Sequence, residues 1–340
     1  MKSLSMGFPR RQRLWQLLRV WFAGTAIALA PLLLLEDLDY LLRELVFSPK
    51  VWPDWVSVPI SMAFGVVVAA WVGLRHSWEA VSRRELAAER VIRYGLLLIL
   101  SPYALSKVLG TQFRLPYVTL DTALGDVSGY MLTWRFFGYS HGHEIFVAMG
   151  EWIGPALLLS WRTTTLGACI TAVVMANVVA VNFTHDLPVQ RFSSCLLALT
   201  LYLLVLDGQR LLGFFVFNRP VNARPRPTAL IRPGWLRAGA KAGWVALALG
   251  YSFLAIVVGD SKATPIAGAW TVEPSGTKPS IGWHTVYFER GFQGSYPGSI
   301  RRDAGAKPET FRYEFDAASQ HLRMTFLNTT SPEKSFSIGQ

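Results

Sequence analysis

"VVMANVVAVNFTHDLPVQ", residues 173–190, opens as an apolar run and closes on asparagine, histidine, aspartate and proline. Its first half, Asn177 apart, offers nothing that water would favour. A backbone crossing hydrocarbon must satisfy its own hydrogen bonds, which a helix does. The stretch therefore reads as the outer end of a membrane-spanning helix, stopped at Pro188. Asn182 stands three residues before His185 and four before Asp186, so continued helical geometry sets all three on one face. They either cap the helix where it meets water or line a site.

The same texture recurs along the chain. Apolar stretches occur at 20–35, 56–74, 91–109, 145–160, 164–181, 192–206 and 242–258. Each approaches the ~20 residues a helix needs to cross ~30 Å of hydrocarbon. Only 16% of residues are charged, below the ~25% of an ordinary soluble domain. The reading is a polytopic α-helical membrane protein of about seven transmembrane helices. The shortest run, 192–206, is extended by "RLLGFFVF" (210–217) along the interface.

Net charge is +11, and its placement speaks against nucleic acid. With the N-terminus inside, segments 1–19, 75–93, 161–163 and 207–241 are cytoplasmic and hold 18 Lys/Arg, whereas the outer loops 36–54, 107–143 and 183–191 hold 6. That is the positive-inside asymmetry of an inner-membrane protein, its basic run at 218–237 facing anionic lipid. The leader "MKSLSMGFPRRQRLWQLLR" precedes "AIALA" (26–30), a cleavage-like pattern. Pro31 follows it and the apolar run continues, so the first span is expected to be retained.

Four segments are expected: a two-span N-terminal part (1–89), a four-helix bundle (90–220), a basic loop with the last span (221–259), and a small all-β extracytoplasmic module (260–340). In the β module "FRYEFD" (311–316) and "HLRMTF" (321–326) each alternate, and "AASQ" between them makes a hairpin. "GAWTVE" (268–273) and "HTVYFER" (284–290) are further strands, for about five in a thin barrel or sandwich, truncated or completed by a partner. "SGTKPS" (275–280) lacks the Walker spacing and context. Cys169 and Cys195 fall in the fifth and sixth spans, too few for a disulfide framework. They read as packing residues, with a redox pair as the alternative.

Charge inside hydrocarbon is costly, so polar residues near the spans carry the functional information. They collect in the outer half of spans three to five: Lys107 and Gln112, then His141, His143, Glu144 and Glu151, then Asn177, Asn182, His185 and Asp186. Glu144 and Glu151, seven apart, share a helix face, and Lys107 is the cation placed to pair with Glu151. The bland alternatives are a structural ion pair, interhelical glue at Asn177, and helix capping at Asn182, His185 and Asp186. "SHGHE" (140–144) hints at metal, but no metal site is expected. What such a site could do is handle protons, because burial and a neighbouring cation move a carboxylate's affinity.

From "RVIRYGLLLILSPYALSKVLGTQF" (90–113) to "DGQRLLGFFVFNRP" (207–220) the chain resembles the DoxX-like membrane proteins. The resemblance is carried by "KVLGTQF", "GEWIGPALLL", the turn "WRTTTLGA" and "NVVAVNFTHDLPV". It implies a four-helix membrane core and an association with quinone-linked sulfur or thiol redox complexes. Lys107, Gln112, Glu151, Asn182 and Asp186 match the motif's polar positions; His185 and Gln190 depart from an aromatic and a lysine. On this basis Glu151, Lys107 and Asp186 are the expected proton-handling groups. Gln112, Asn177, Asn182, His185, His141 and Glu144 are the expected ligand contacts, for a quinone or redox partner. The rivals are a non-catalytic scaffold that binds through the β module and a transporter of small molecules or lipid.

Overall fold

The computed structural model describes residues 10–46, 57–75, 80–223, 231, 233–259, 264–273, 282–290, 296–302, 307–326 and 333–337. The leader 1–9, "SPKVWPDW" (48–55), the middle of the basic run (224–230) and "SGTKPS" lie outside the described residues. The chain divides into two compact units, 1–108 with 145–253, and 109–144 with 254–340.

The first unit is helical. α1 (Arg10–Val46) is followed by α2 (Ser57–Arg75) and α3 (Ala80–Val108). After the excursion into the second unit come α6 (His141–Leu158), α7 (Thr164–Thr184), α8 (Gln190–Leu206), the single turn α9 (Gly208–Leu211) and α10 (Gly234–Gly259). Among the described residues four stretches are long and apolar enough to cross a membrane: Trp15–Glu36, Glu85–Val108, Thr164–Thr184 and Gly234–Val257. α8 with α9 and the π-turn Leu212–Val216 makes a fifth if the pair, bent by 69°, is one broken span. α2 is apolar but shorter, over Val58–Trp71, and α6 is not among these spans. Two histidines and two glutamates dilute its apolar character.

Two boundaries differ from expectation. The outer loop expected at 36–54 is helical as far as Val46, since "EDLDYLLRELV" contains no proline or glycine to stop it. Glu36, at the span's end, is held by Arg191 at 2.9 Å. The inner segment 75–90, helix-forming by its sequence, is helical from Ala80 as expected but continuous with the span expected to begin at 91, so Glu85, Glu89 and Arg93 belong to the same helix as Lys107.

The core gathers Ala23, Leu29 and Leu33 of α1, Ile92, Leu96 and Ile99 of α3, Leu158 of α6, Met175 of α7 and Leu196, Leu199 and Leu203 of α8. α1 is thus part of the bundle rather than a separate N-terminal segment. Small residues let helices approach: a Cβ on Gly24 would come within 3.0 Å of the Gly65 Cα. α6 meets α7 the same way, through a G-x-x-x-G pair in which Gly150 faces Val174 and Gly154 faces Gly167 and Thr171. α10 touches α3 along one stripe, where Trp244 Nε1 donates to the Tyr94 carbonyl at 3.1 Å, and is otherwise uncovered.

The second unit joins the segment after α3 to the C-terminal region. Among the described residues it holds α4 (Tyr117–Leu120), a 3-10 turn (Leu124–Asp126), α5 (Gly129–Gly138) and six strands: β1 (Gly268–Thr271), β2 (Thr285–Phe288), β3 (Pro297–Arg301), β4 (Glu309–Asp316), β5 (His321–Phe326) and β6 (Glu333–Ser337). All pair antiparallel with their sequence neighbours, in one six-stranded meander. The predicted hairpin forms with Asp316 opposite His321. On the inner face Phe288 meets Tyr313 at 5.0 Å and Phe311 meets Phe326 at 5.7 Å between ring centres. β2 is buried on both faces, because Tyr287 on its outer side lies against Asp121. β3 and β6 were not anticipated.

Candidate functional site

Lys107 closes α3 and Glu151 sits midway along α6. Their side chains meet with Nζ 2.6 Å from Oε2, at 3% and 6% exposure. The ammonium also donates to the Tyr103 carbonyl at 3.3 Å. Pro155, four residues beyond Glu151, has no N–H for the Glu151 carbonyl, which loosens the helix at that turn.

The pair is one of several clamps between α3 and α6. Trp152 Nε1 donates to Ser101 Oγ at 3.2 Å, and Arg93 Nε donates to the Leu158 carbonyl at 2.5 Å. Arg93 also pairs with Glu89 at 2.9 Å, both buried. Fourteen residues separate Arg93 from Lys107, about 21 Å along the helix. Ionisable groups therefore occur at both ends of α3, against the expectation that polar residues collect in the outer half of spans three to five. The i,i+4 spacing of Glu89 and Arg93 was the available signal.

The opening stretch resolves mainly into a cap. α7 ends at Thr184, and His185 is its C-cap, its N–H bonded to the Val181 carbonyl at 3.0 Å. Its ring lies 2.9 Å from Thr184 Oγ1. Asp186 turns to φ 53°, outside the helix, so the single face shared by Asn182, His185 and Asp186 is lost. Asp186 is exposed and accepts from Gln190 Nε2 at 3.3 Å. This corrects its assignment to an internal proton-handling chamber. Asn182 alone is buried, donating to Ser193 Oγ on α8 at 2.8 Å.

Asn177 is corrected too: it lies on the exposed side of α7 with Val173, Ala180 and Thr184. These four positions, spaced four, three and four, form one uncovered stripe. Gln112, His141 and Glu144 belong to the second unit. The Gln112 carbonyl accepts from Trp134 Nε1 at 3.1 Å, His141 is exposed, and Glu144 is buried in the first turn of α6. His143 stacks on Phe137 at 5.7 Å. Among the described residues no cluster of three or more His, Cys, Asp or Glu could hold a metal. Of the expected site, Lys107 and Glu151 are brought together and Asn182 is buried with a different partner.

The cysteines do not form a redox pair. Asn182 bonds Ser193, and Thr165 bonds Asp207, which fixes the α7–α8 register. Cys195 then lies opposite residues near 178, and Cys169 is nine residues further along, about 13 Å away.

The second unit has its own polar centre, which sequence reasoning missed. Glu289 accepts from the backbone N–H groups of Tyr117 at 2.7 Å and Val118 at 2.9 Å. Tyr287 Oη donates to Asp121 at 2.9 Å, and Arg301 donates to the Asp121 carbonyl at 3.0 Å. Burial pushes the Glu289 carboxyl above its ordinary range, and the two N–H donors only partly offset this. The partners lie some 170 residues apart, so no local pattern announces them. Beside this centre an open groove of about 440 Å³ is lined by Leu124, Leu132, Phe136 and Tyr139, with Arg135 and His143 at its polar edge.

No protein-family profile matches the chain, and no solved structure does. The uncharacterised protein YwoB of Bacillus subtilis (strain 168) is 37% identical over 122 residues, 36% of this chain and 77% of YwoB. Sharing that identity with most of YwoB's length, the chain belongs to the YwoB family.

Proposed function

We propose that this is a seven-span inner-membrane protein, DoxX-like in its middle, whose Lys107–Glu151 pair handles protons for a quinone-linked or thiol redox system. The observation that carries the reading is the pair itself, buried and in contact at 2.6 Å at the end of a membrane-spanning helix. Ionisable groups are kept in such places at a cost of at least a few kcal/mol, which favours function.

Connectivity supports the span count. Tyr117, Val118 and Asp121 are hydrogen-bonded to Glu289, Tyr287 and Arg301, so 109–144 and the sheet lie on one side of the membrane. An even number of crossings must separate them. α6, α7, α8 and α10 lie between, and α7 and α10 are long apolar helices. α6 and α8 therefore cross together or not at all, and α8 qualifies as a broken span. Adding α1, α2 and α3 gives seven, with the N-terminus in the cytoplasm by the distribution of Lys and Arg.

Chemically, the pair offers an ammonium donor and a carboxylate acceptor, the set a carbonyl-bearing ligand of the quinone class needs. A bound quinone would supply the electron-accepting chemistry. Lys107 would hold a carbonyl oxygen and Glu151 would give or take the accompanying proton, exchanging their mutual bond for bonds to ligand. Because the cysteines are too far apart to pair, thiol electrons would come from another molecule. The test is quinone reduction by membranes of the parent, Glu151→Gln and Lys107→Ala with a thiol donor. Loss of at least about tenfold in both variants is expected if the proton transfer is theirs. Parental rates in both overturn the reading.

A scaffold is the second reading, favoured by the second unit, where segments some 170 residues apart are pinned into one extracytoplasmic module. Unchanged redox rates together with loss of a co-purifying partner in Glu289→Ala would select it.

A further inference from the structure

α5 has two unlike sides. On one, Thr133 is buried, Trp134 bonds the Gln112 carbonyl, and Phe137 stacks on Phe113 at 5.4 Å. On the other, Leu132, Phe136 and Tyr139 follow at spacings of four and three, one stripe of a helix whose geometry runs through Tyr139. Phe136 is 66% and Tyr139 92% exposed, and Leu120 and Leu124 are exposed in the turns before. No charge interrupts the stripe, since Arg135 is turned onto the Thr119 and Thr122 carbonyls. A helix side facing water normally carries charged and polar residues.

We infer that α5 lies in the outer membrane–water interface with its Leu132–Phe136–Tyr139 stripe seated in phospholipid. Chain continuity names the occupant. α5 ends at Gly138 and α6 begins at His141, so at most about 10 Å of chain separates them. The next turns of α6 expose Phe146, Met149 and Ile153, again spaced three and four. In chain order the exposed apolar residues of α5 are thus followed at once by those of a helix that the seven-span reading sends through the bilayer, and the inference rests on that reading. Interfacial helices sink their apolar side about 5–10 Å into the headgroup–acyl boundary, and tyrosine is enriched there. The groove bordered by Leu124 and Phe136 would take part of an acyl chain.

The test uses the full chain with Cys169 and Cys195 changed to Ala, in vesicles of phosphatidylcholine and phosphatidylglycerol. Single cysteines, Phe136→Cys, Met149→Cys and Glu314→Cys, are labelled with nitrobenzoxadiazole. Glu314, with 79% of its side chain exposed on β4, is the water-facing reference. Tyr139→Cys gives the same reading should Phe136→Cys fail to fold. Quenchers are phosphatidylcholine bearing a nitroxide near the carbonyls or near the chain end, and iodide in water. The α5 label should be quenched at least about twofold more by the shallow nitroxide than by the deep one. The Met149 label should be quenched by lipid nitroxide, and the Glu314 label by iodide alone. An α5 label reached only by iodide while the Met149 label remains lipid-quenched overturns the inference and leaves the span reading standing. Both labels reached only by iodide overturns both. An α5 label shielded from lipid and iodide in vesicles, but open to iodide in single-copy nanodiscs, assigns the stripe to a second copy and overturns the lipid seat.

Discussion

Removing one member of the Lys107–Glu151 pair leaves the other charge buried without its counter-ion. Single partner loss of this kind costs about 3–5 kcal/mol, whereas replacing both members by apolar or neutral groups is often close to neutral. Glu151→Ala and Lys107→Ala should each lower the melting temperature in detergent markedly, and Lys107→Met with Glu151→Gln should recover most of it. Additive losses in the double variant would mean that the two side chains do not depend on each other. Glu289 gives a second expectation at this scale, with its sign set by burial. Its carboxyl binds protons more tightly in the folded module than in the unfolded chain. The contribution to stability is therefore fully present below the ordinary carboxylate range and declines as pH rises through the folded value. Amide exchange at Tyr117 and Val118, corrected for the intrinsic rate, should show protection falling as pH rises above the ordinary carboxylate range, with Glu289→Gln flattening that fall. A slope that survives the substitution assigns the titration to another group.

Among the elements, α6 and α7 are in contact through glycine, and the tolerance of each glycine follows from what surrounds it. A Cβ on Gly167 would stand 2.7 Å from the Gly154 carbonyl oxygen and 3.0 Å from the Leu158 nitrogen, both backbone. Gly167→Ala must therefore push the helices apart, at a cost of about 1–3 kcal/mol. Gly243 in α10 has no neighbour within 4 Å, so Gly243→Ala should stabilise its helix by up to about 1 kcal/mol. Thermal unfolding of the two variants beside the parent should move in opposite directions, and equal shifts would show that the seam is not close-packed. At this scale the sequence was readable where the signal is local. The hairpin of β4 and β5 was visible because Phe311, Tyr313, Leu322 and Met324 alternate. β3 was not, because "PGSIR" opens on a proline and a glycine, and that glycine is needed where the Phe311 ring crosses it. The end of α1 and the continuity of the helical segment from Ala80 with the rest of α3 were missed because charged helical turns fall outside the apolar run that marks a span. The Lys107–Glu151 pair was legible because few charges compete within the bilayer. The Glu289 centre was not, because tertiary structure alone joins residues so distant in the chain.

For the whole molecule, side of membrane is a stricter constraint than hydropathy. α6 is too polar to declare itself a span by composition, yet the hydrogen bonds that join 109–144 to the sheet tie its fate to that of α8. A count of four, in which α1, α3, α7 and α10 cross and α2, α6 and α8 do not, also keeps the second unit on one side. It would place that unit in the cytoplasm with the N-terminus, and would put Arg162 on the same side as Asp126. A seven-span chain puts Arg162 opposite Asp126. Reporters inserted after Asp126, after Arg162 and at the C-terminus separate these cases, using alkaline phosphatase for the outside and a fluorescent protein that matures in the cytoplasm for the inside. Phosphatase activity is expected at Asp126 and the C-terminus, and fluorescence at Arg162. Agreement between Asp126 and Arg162 would remove α6 from the spans, and by the same parity α8 with it. The buried Glu151 would then have to be explained by a helix lying within or upon the membrane. Disagreement between Asp126 and the C-terminus would be more damaging, since the bonds from Glu289 to Tyr117 and Val118 could not exist in the folded protein.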